Sequence, residues 1–489
     1  TTGANNIAIG TNALYANTTG SYSTALGHSA LRSNTTGTHN TAVGLDSLYN
    51  NTTGTRNVAV GLNALVNSTT AADNTAVGYA VMGANSTGDK NVAIGTYALD
   101  ANTTGSDIVA IGYGALGSNT TGNLNIAIGK NALSANTTGA SNLATGQFAM
   151  AGNTTGSFNT AYGYTALQSN TTGADNVAIG REALISNTTA SFNVAIGKHA
   201  MYANTTGKEN TAVGALAFDA NTTGHENTAF GDHALTSSTT ANNNTALGRS
   251  ALFNTTTGSP NTAVGHQAMR QNTTGGYNTV MGKDALYANT TGYGNVSLGY
   301  NAGNHSNANT TGYNNVFIGA NCHGARYDRN HQIVLGYYVQ SVGQNYITMG
   351  SGTGSDRIYN EFTSNASWTR SSDERIKKEI ATNTDCGLNF INDLRTVTYK
   401  FKAPSELAPS MSEYDADNST PSYDKKMYGF IAQEVKAVLD SHNITDFAGW
   451  SKVEDDGDNM QGISYEMFVM PLVKAIQELS AKVKALEDA

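Results

Sequence analysis

The sequence predicts a mainly β protein: a parallel β-solenoid of 17-residue coils, then a small α+β domain ending in a coiled-coil helix. Three observations carry that reading. The tetrapeptide Asn-Thr-Thr-Gly, or a close variant, recurs every 17 residues from Asn17 to Asn289 without an insertion. Residues 1 to 300 hold 22 charged side chains, whereas the remaining 189 hold 41 of the total of 63 (27 basic and 36 acidic). A heptad-spaced apolar series closes the chain.

The repeat comes first because self-similarity at a fixed period decides the architecture. Its typical unit is Asn-Thr/Val-Ala-Val/Ile-Gly-x-x-Ala-Leu-x-x-Asn-Thr-Thr-Gly-x-x. Ser68, Ser238 and Thr255 replace the tetrapeptide's Asn, and an eighteenth unit at Asn309 is displaced by three residues. Gly10 recurs at each matching place through Gly299, and again at Gly319. Seventeen residues are too few for a helical hairpin, and the tetrapeptide breaks helices. Ile7-Ala8-Ile9 is β-prone and Gly10 ends it. A second apolar stretch centres on Ala13-Leu14, so each unit is expected to hold two short strands and two turns. Each rung satisfies its backbone edges only when another stacks on it. Eighteen rungs at about 4.8 Å make a rod roughly 85 Å long.

The middle strand residue is Ala in sixteen units, Ala8 through Ala263, and then Val280, Ser297 and Phe317. A uniformly small side chain opposite the Val/Ile row points to close approach of a neighbouring chain, hence a symmetric oligomer. The plainer alternative is that Ala fills a shallow strand face. Asn-Thr-Thr also has the form of a glycosylation sequon, but its recurrence at a fixed turn is explained by the fold.

The solenoid shaft occupies residues 1–320, and residues 321–371 form a neck. Ile333-Val-Leu-Gly336 and Tyr346-Ile-Thr-Met-Gly350 repeat the strand–Gly pattern at a spacing of 14, so shorter rungs are expected there. Gly350-Ser-Gly-Thr-Gly-Ser lacks the strand–helix context of a phosphate loop and reads as a turn. Trp368 is expected to seal the joint. Adjacent Cys322 and His323 do not make a zinc site, which needs four ligands at recognisable spacing. With Cys386 the chain holds two cysteines, expected as free thiols.

Residues 372–489 read as a compact charged domain. Ser372-Asp-Glu-Arg-Ile-Lys-Lys-Glu-Ile begins like a capped helix with acids in its first turn. Leu394 to Phe401 reads as a strand, residues 404 to 425 as a polar loop, and Met427 to Val435 leads into a helix ending near Ser441. Asp455, Asp456 and Asp458 lack the remaining ligands of a calcium loop. In the last segment, 465–489, Leu472, Ile476, Leu479, Val483 and Leu486 alternate spacings of four and three. That is a heptad seam, marginal alone at two heptads. The alternative is an amphipathic helix packed on its own domain.

Ser372 and Lys377 are candidates for covalent chemistry. On one continuous helix a five-residue separation puts them on different faces. A dyad therefore needs Ser372 outside the helix, with Lys377 turned back and its pKa lowered by burial. An N-cap Ser and a solvated Lys explain the same residues without chemistry.

Two resemblances add to these readings. The repeat resembles the head domains of trimeric bacterial adhesins, which implies a left-handed parallel β-roll in a threefold bundle, although that family's unit is commonly shorter, about 14 residues. Trp368 to Lys377, Gly429-Phe-Ile-Ala-Gln-Glu-Val435, and Tyr465 through Pro471-Leu to Glu478-Leu479 resemble the C-terminal intramolecular chaperone of phage tail fibres and tail spikes, the peptidase family S74 of endosialidase-type proteins. That resemblance covers residues 359 to 489. It implies a domain that trimerises the chain, guides folding of the shaft and releases itself at the serine of Ser-Asp-x-x-x-Lys. Carried over, Ser372 is the nucleophile and Lys377 the base, with Asp373, Glu374 and Arg375 as supporting neighbours. The bond cut is 371–372 or 372–373.

Such a device has a physical rationale. An unbroken period makes a slip of one rung nearly free of mismatch, and long-range parallel pairing is slow. A terminal clamp fixes stoichiometry and register, and its removal leaves kinetic stability.

The expectation is thus a host-attaching fibre of a phage tail or similar virion: a homotrimer that meets a cell-surface receptor at the neck or tip and turns over once as a self-cleaving peptidase. A bacterial surface adhesin with the same chaperone is the main alternative, on the bacterial cell surface. A glycan-cutting tail spike needs paired carboxylates, which the shaft does not repeat. A net charge of −9 offers no basic patch for nucleic acid. No apolar stretch approaches the roughly 20 residues of a membrane span. No cofactor or metal motif stands out. Thr1 is not an initiator Met, which points to a fragment or processed product.

Overall fold

The computed structural model describes residues 2–304, 311–326, 328–352, 357–362, 382–409, 414–421, 425–452 and 461–489. The chain forms two compact units, Thr1–Thr291 and Gly292–Ala489.

The first unit is a parallel β-solenoid with coils 17 residues apart. It runs from β1 (Ile7–Ile9) to β17 (Asn278–Met281), each strand three or four residues long and paired in parallel register with the next, as in Ile7↔Thr24 and Ala8↔Ala25. A single coil shows why. Its interior holds Asn91, Ala93, Ala98, Leu99 and Asn102, all fully buried. The alanine column therefore lines the inside of the coil, not a contact with a neighbouring chain, and the flanking Val/Ile row faces outward. Both strand faces are apolar, so alternation alone could not say which was inside. At the end of the column Val280 takes that place in register with Ala263 and is buried as well.

One strand per coil is found, not two. The Ala13-Leu14 stretch is a succession of turns, with Leu14 and its counterparts (Leu, Met or Phe) at φ between +48° and +56°. A left-handed residue costs about 1–2 kcal/mol. Burying a Leu returns about 1.5–3 kcal/mol, and the residue's N–H also bonds to the next coil, Leu14 to Ala30 O at 3.0 Å. Burial therefore outweighs the strain.

The strand-ending glycines of this unit, Gly10 through Gly282, lie at φ between +127° and +141°. At Gly146 an added Cβ would lie 2.3 Å from the carbonyl oxygen of Gly163, one coil on. Only glycine fits that column.

Two amide ladders run through the buried interior. Asn34 Nδ2 donates to Asn17 Oδ1 at 2.9 Å and to Gly37 O at 3.0 Å, and its counterparts repeat this. In the second ladder Asn57 N–H donates to Asn40 Oδ1 at 3.0 Å, and Asn57 Nδ2 to Ala71 O at 2.8 Å. From Asn34 to Asn289 the Asn that opens the recurring tetrapeptide is thus buried inside the coil, not presented to solvent. Ser68 is too short to continue the first ladder, and Asn51 Oδ1 is left without a donor. Outside, Thr18 Oγ1 donates to Thr35 O at 2.9 Å. The second threonine, Thr19 through Thr291, is exposed in all seventeen coils.

In the second unit, β18 (Val296–Leu298), β19 (Val316–Ile318), β20 (Ile333–Tyr337) and β21 (Tyr346–Ser351) pair in parallel in that order. The β20–β21 step is the shorter rung, with Ile333 opposite Ile347 and Gly336 opposite Gly350. β22 (Arg357–Glu361) then pairs antiparallel with β21, which ends the parallel stack.

The α+β region follows: α1 (Leu388–Asp393), β23 (Val397–Tyr399), β24 (Met427–Gly429), α2 (Ala432–Ser441), β25 (Trp450–Lys452), β26 (Gln461–Ile463) and α3 (Val469–Glu487). β23 pairs antiparallel with β24, and β25 with β26. No helix among the described residues is long and apolar enough to cross a membrane.

Candidate functional site

Ser372, Asp373, Glu374, Arg375 and Lys377 lie outside the described residues, as do Trp368, Asp455, Asp456 and Asp458. What the structure supplies is the body that follows this stretch, beginning at Thr382.

That body is held by Cys386, Phe390, Val435, Leu439, Ile444 and Phe468, with Phe430, Phe447 and Trp450 packed against them. Phe447 meets Phe468 edge-on at 5.1 Å, and Phe390 stacks on Phe468 at 6.4 Å. These rings join α1, α2 and the turn before α3 into one core. Burial pushes the Cys386 thiol up, so it is a packing residue and a poor nucleophile.

The start of α1 is fixed by the far end of the sequence. Glu478 Oε2 on α3 accepts the Leu388 N–H at 2.8 Å, filling a role that a local N-cap side chain usually has. Gly387 permits this approach, since a Cβ there would meet both Glu478 carboxylate oxygens at 2.5 Å. The hydrogen bond from the Leu388 N–H, with the Lys474 charge adding to it, holds the Glu478 carboxyl below its ordinary range. Sequence reading missed this tie, because its two ends are 90 residues apart. A second long-range tie is the Tyr465 hydroxyl, which accepts the Phe430 N–H at 3.0 Å. The pairs Arg395–Glu434 and Asp393–His442 lie at the surface, where such pairs contribute little.

α3 buries only Pro471 and Ala475 among its residues. Leu472, Ile476, Leu479, Val483 and Leu486, the whole heptad seam, are exposed in the single chain. The seam is therefore not the face by which α3 packs on its own domain.

In the neck region Cys322 is buried, its thiol pushed up to about 11 by burial, and its Sγ donates to Gly319 O at 3.1 Å. Burial lowers the pKa of His323, and its Nδ1 lies 3.0 Å from Gly324 O. The two cysteines are free thiols. No cluster of three or more metal-ligating side chains occurs among the described residues.

Residues 372–444 match the family model Peptidase_S74, the chaperone of endosialidase. No curated protein matches the chain. The match opens on Ser372 and covers α1, α2 and the core between them. With the solenoid upstream, it supports a tail-fibre or tail-spike type of protein carrying a C-terminal chaperone domain of the self-cleaving serine-peptidase type.

Proposed function

We propose that the chain is a host-attachment fibre of a phage tail or similar virion. In this reading the C-terminal domain trimerises the chain, guides folding of the solenoid and then cuts itself away beside Ser372. The match that begins at Ser372 is the observation that carries the reading. Ser372 Oγ attacks a carbonyl next to it, in bond 371–372 or 372–373, while neutral Lys377 takes its proton. Asp373, Glu374 and Arg375 position the pair. The amide nitrogen of that bond leaves with the proton taken up by Lys377, and water then hydrolyses the ester on Ser372 Oγ, which separates shaft from chaperone once per chain.

Assembly is supported by the exposed seam of α3, whose apolar residues have the spacing of a parallel coiled coil. Along the shaft the alanine column cannot provide the contact, because it is interior. The exposed column Thr19 through Thr291 is the better candidate. It is Thr in every coil, while the neighbouring exposed place runs Tyr22, His39, Arg56, Asp73 and Lys90. Receptor contact is assigned to the neck, 321–371; adsorption that survives its deletion would refute this.

The direct test is denaturing electrophoresis with intact-mass analysis of wild type, Ser372→Ala and Lys377→Ala. Wild type should split close to residue 372, and both variants should remain whole at 50.9 kDa. An uncut wild type, or a cut Ser372→Ala, would overturn the peptidase assignment.

A further inference from the structure

The histidines of the solenoid are unevenly placed. None lies between His39 and His199, whereas His199, His225, His233 and His266 follow one another closely. Two of these, His199 and His233, stand in one column with Glu182 and Leu216, two places after the strand-ending glycine. All four residues share a left-handed backbone, with φ between +56° and +59°. Coil stacking fixes their positions. The His199 N–H donates to Arg181 O at 3.0 Å, and the His233 N–H to Ala215 O at 3.0 Å.

Carboxylates alternate with the two imidazoles. Glu182, one coil earlier, meets His199 Nε2 through its Oε2. Asp232 Oδ1 lies 3.0 Å from His233 Nδ1. Asp219 belongs to the coil between the two histidines and is half-buried. Its Oδ1 accepts no hydrogen bond among the described residues. Burial pushes the Asp219 carboxyl up, against the electrostatic pull of His199 and His233. The rings beside the cluster are Tyr202, 5.1 Å from that of His199, and Phe253, 5.9 Å from that of His233. The neighbouring column supplies the cations Arg181, Lys198 and Arg249. Arg181 and Arg249 each lie 3.4 Å from a carboxylate, Glu182 and Asp232, but are 56 % and 64 % exposed, so solvent screens them.

Neutral imidazoles leave the Asp219 carboxylate partly desolvated and without a counter-charge, which is costly. Protonating both produces an unbroken alternation from Glu182 through His199, Asp219 and His233 to Asp232. We infer that these five residues form a proton-operated clasp on the outside of the solenoid, which tightens residues 177–247 as pH falls below neutrality. The gain comes with the imidazolium. It is therefore full in mild acid and is lost as pH rises through the range in which imidazole gives up its proton, about pH 6–7. In stronger acid Asp219 takes up a proton itself, and the gain falls away again. Only adjacent coils touch, so the effect stays local. It depends on neither self-cleavage nor the neck contact.

The test is native-state hydrogen exchange of the full chain at about pH 7.5 and about pH 5.5, corrected for the intrinsic pH dependence of exchange. Residues 75–145, which contain no histidine, serve as reference within the same molecule. Opening of residues 177–247 should become about tenfold rarer in acid relative to that reference. Asp219→Asn should remove at least half of this gain, and the double variant His199→Gln/His233→Gln all of it. His225→Gln changes a histidine of the same coils that stands in another column, and should keep the gain. Unchanged exchange of the reference residues checks that each variant is folded. An equal pH response in the two segments would overturn the clasp, as would a gain that survives the double variant or one that His225→Gln abolishes.

Discussion

The solenoid and the C-terminal α+β region are stabilised in opposite ways. Each solenoid coil meets its neighbours through backbone bonds and Asn amides 17 residues apart, and its apolar interior is little more than two alanines and a leucine. The C-terminal region is built on an aromatic core and on ties such as Phe430–Tyr465 and Leu388–Glu478, which are 35 and 90 residues apart in sequence. Interchangeable coils hold together well but say little about which coil belongs beside which. A unique core says much about a single arrangement. That division of labour is what a folding clamp beside a repetitive shaft requires.

Substitutions should expose the contrast. Phe390→Ala removes a ring central to the C-terminal core and should cost about 3–5 kcal/mol. Hydrogen exchange should then rise from Thr382 onward and leave residues 2–291 unchanged; a rise through the shaft would break the distinction. Gly146→Ala forces a left-handed Ala against the Gly163 carbonyl and should cost on the order of 2–4 kcal/mol. Its exchange effect should stay within the few neighbouring coils, because only nearest neighbours touch.

Asn136→Ala deletes the donor to Asn119 Oδ1, now 2.8 Å away, and should cost about 1–3 kcal/mol by leaving a buried acceptor unpaired. The reverse change, Ser68→Asn, supplies the donor that Asn51 Oδ1 lacks and should add about 1 kcal/mol. Both are read in thermal unfolding of the solenoid, and a Ser68→Asn variant less stable than wild type would contradict the ladder.

The smallest effect concerns pH. The carboxyl of Glu478 is lowered in the folded chain, so its stabilising contribution is present above its unfolded pKa and fades as pH falls through the lower folded value. Glu478→Gln should flatten the acid limb of C-terminal unfolding without altering that of the solenoid. An unchanged acid limb would remove Glu478 from the balance.

Much of this was legible in the sequence. The 17-residue period dictated stacked parallel rungs, Gly10 and its counterparts marked positive φ, and the spacing from Ile333 to Tyr346 announced the shorter step. The interior was not legible. Ile7-Ala8-Ile9 is apolar on both faces, so the inward side of Ala8 follows only from the coil's closure. Leu14 gives no hint of a left-handed conformation, because its burial overrides its backbone preference. The tie from Gly387 to Glu478 has no local signal at all. For the candidate dyad, Ser372 and Lys377, five-residue spacing argued against a shared helix face, and the family match begins at Ser372.

The central claim is that the C-terminal region is needed to build the shaft but not to maintain it. It is tested most directly by refolding from denaturant, comparing the chain carrying Ser372→Ala with one ending at residue 371, each followed by light scattering and circular dichroism. The Ser372→Ala chain should return to an assembled β-rich species. The shortened chain should fail to assemble, although shaft released by cleavage stays folded under the same final conditions. Equal recovery of both chains would contradict the claim.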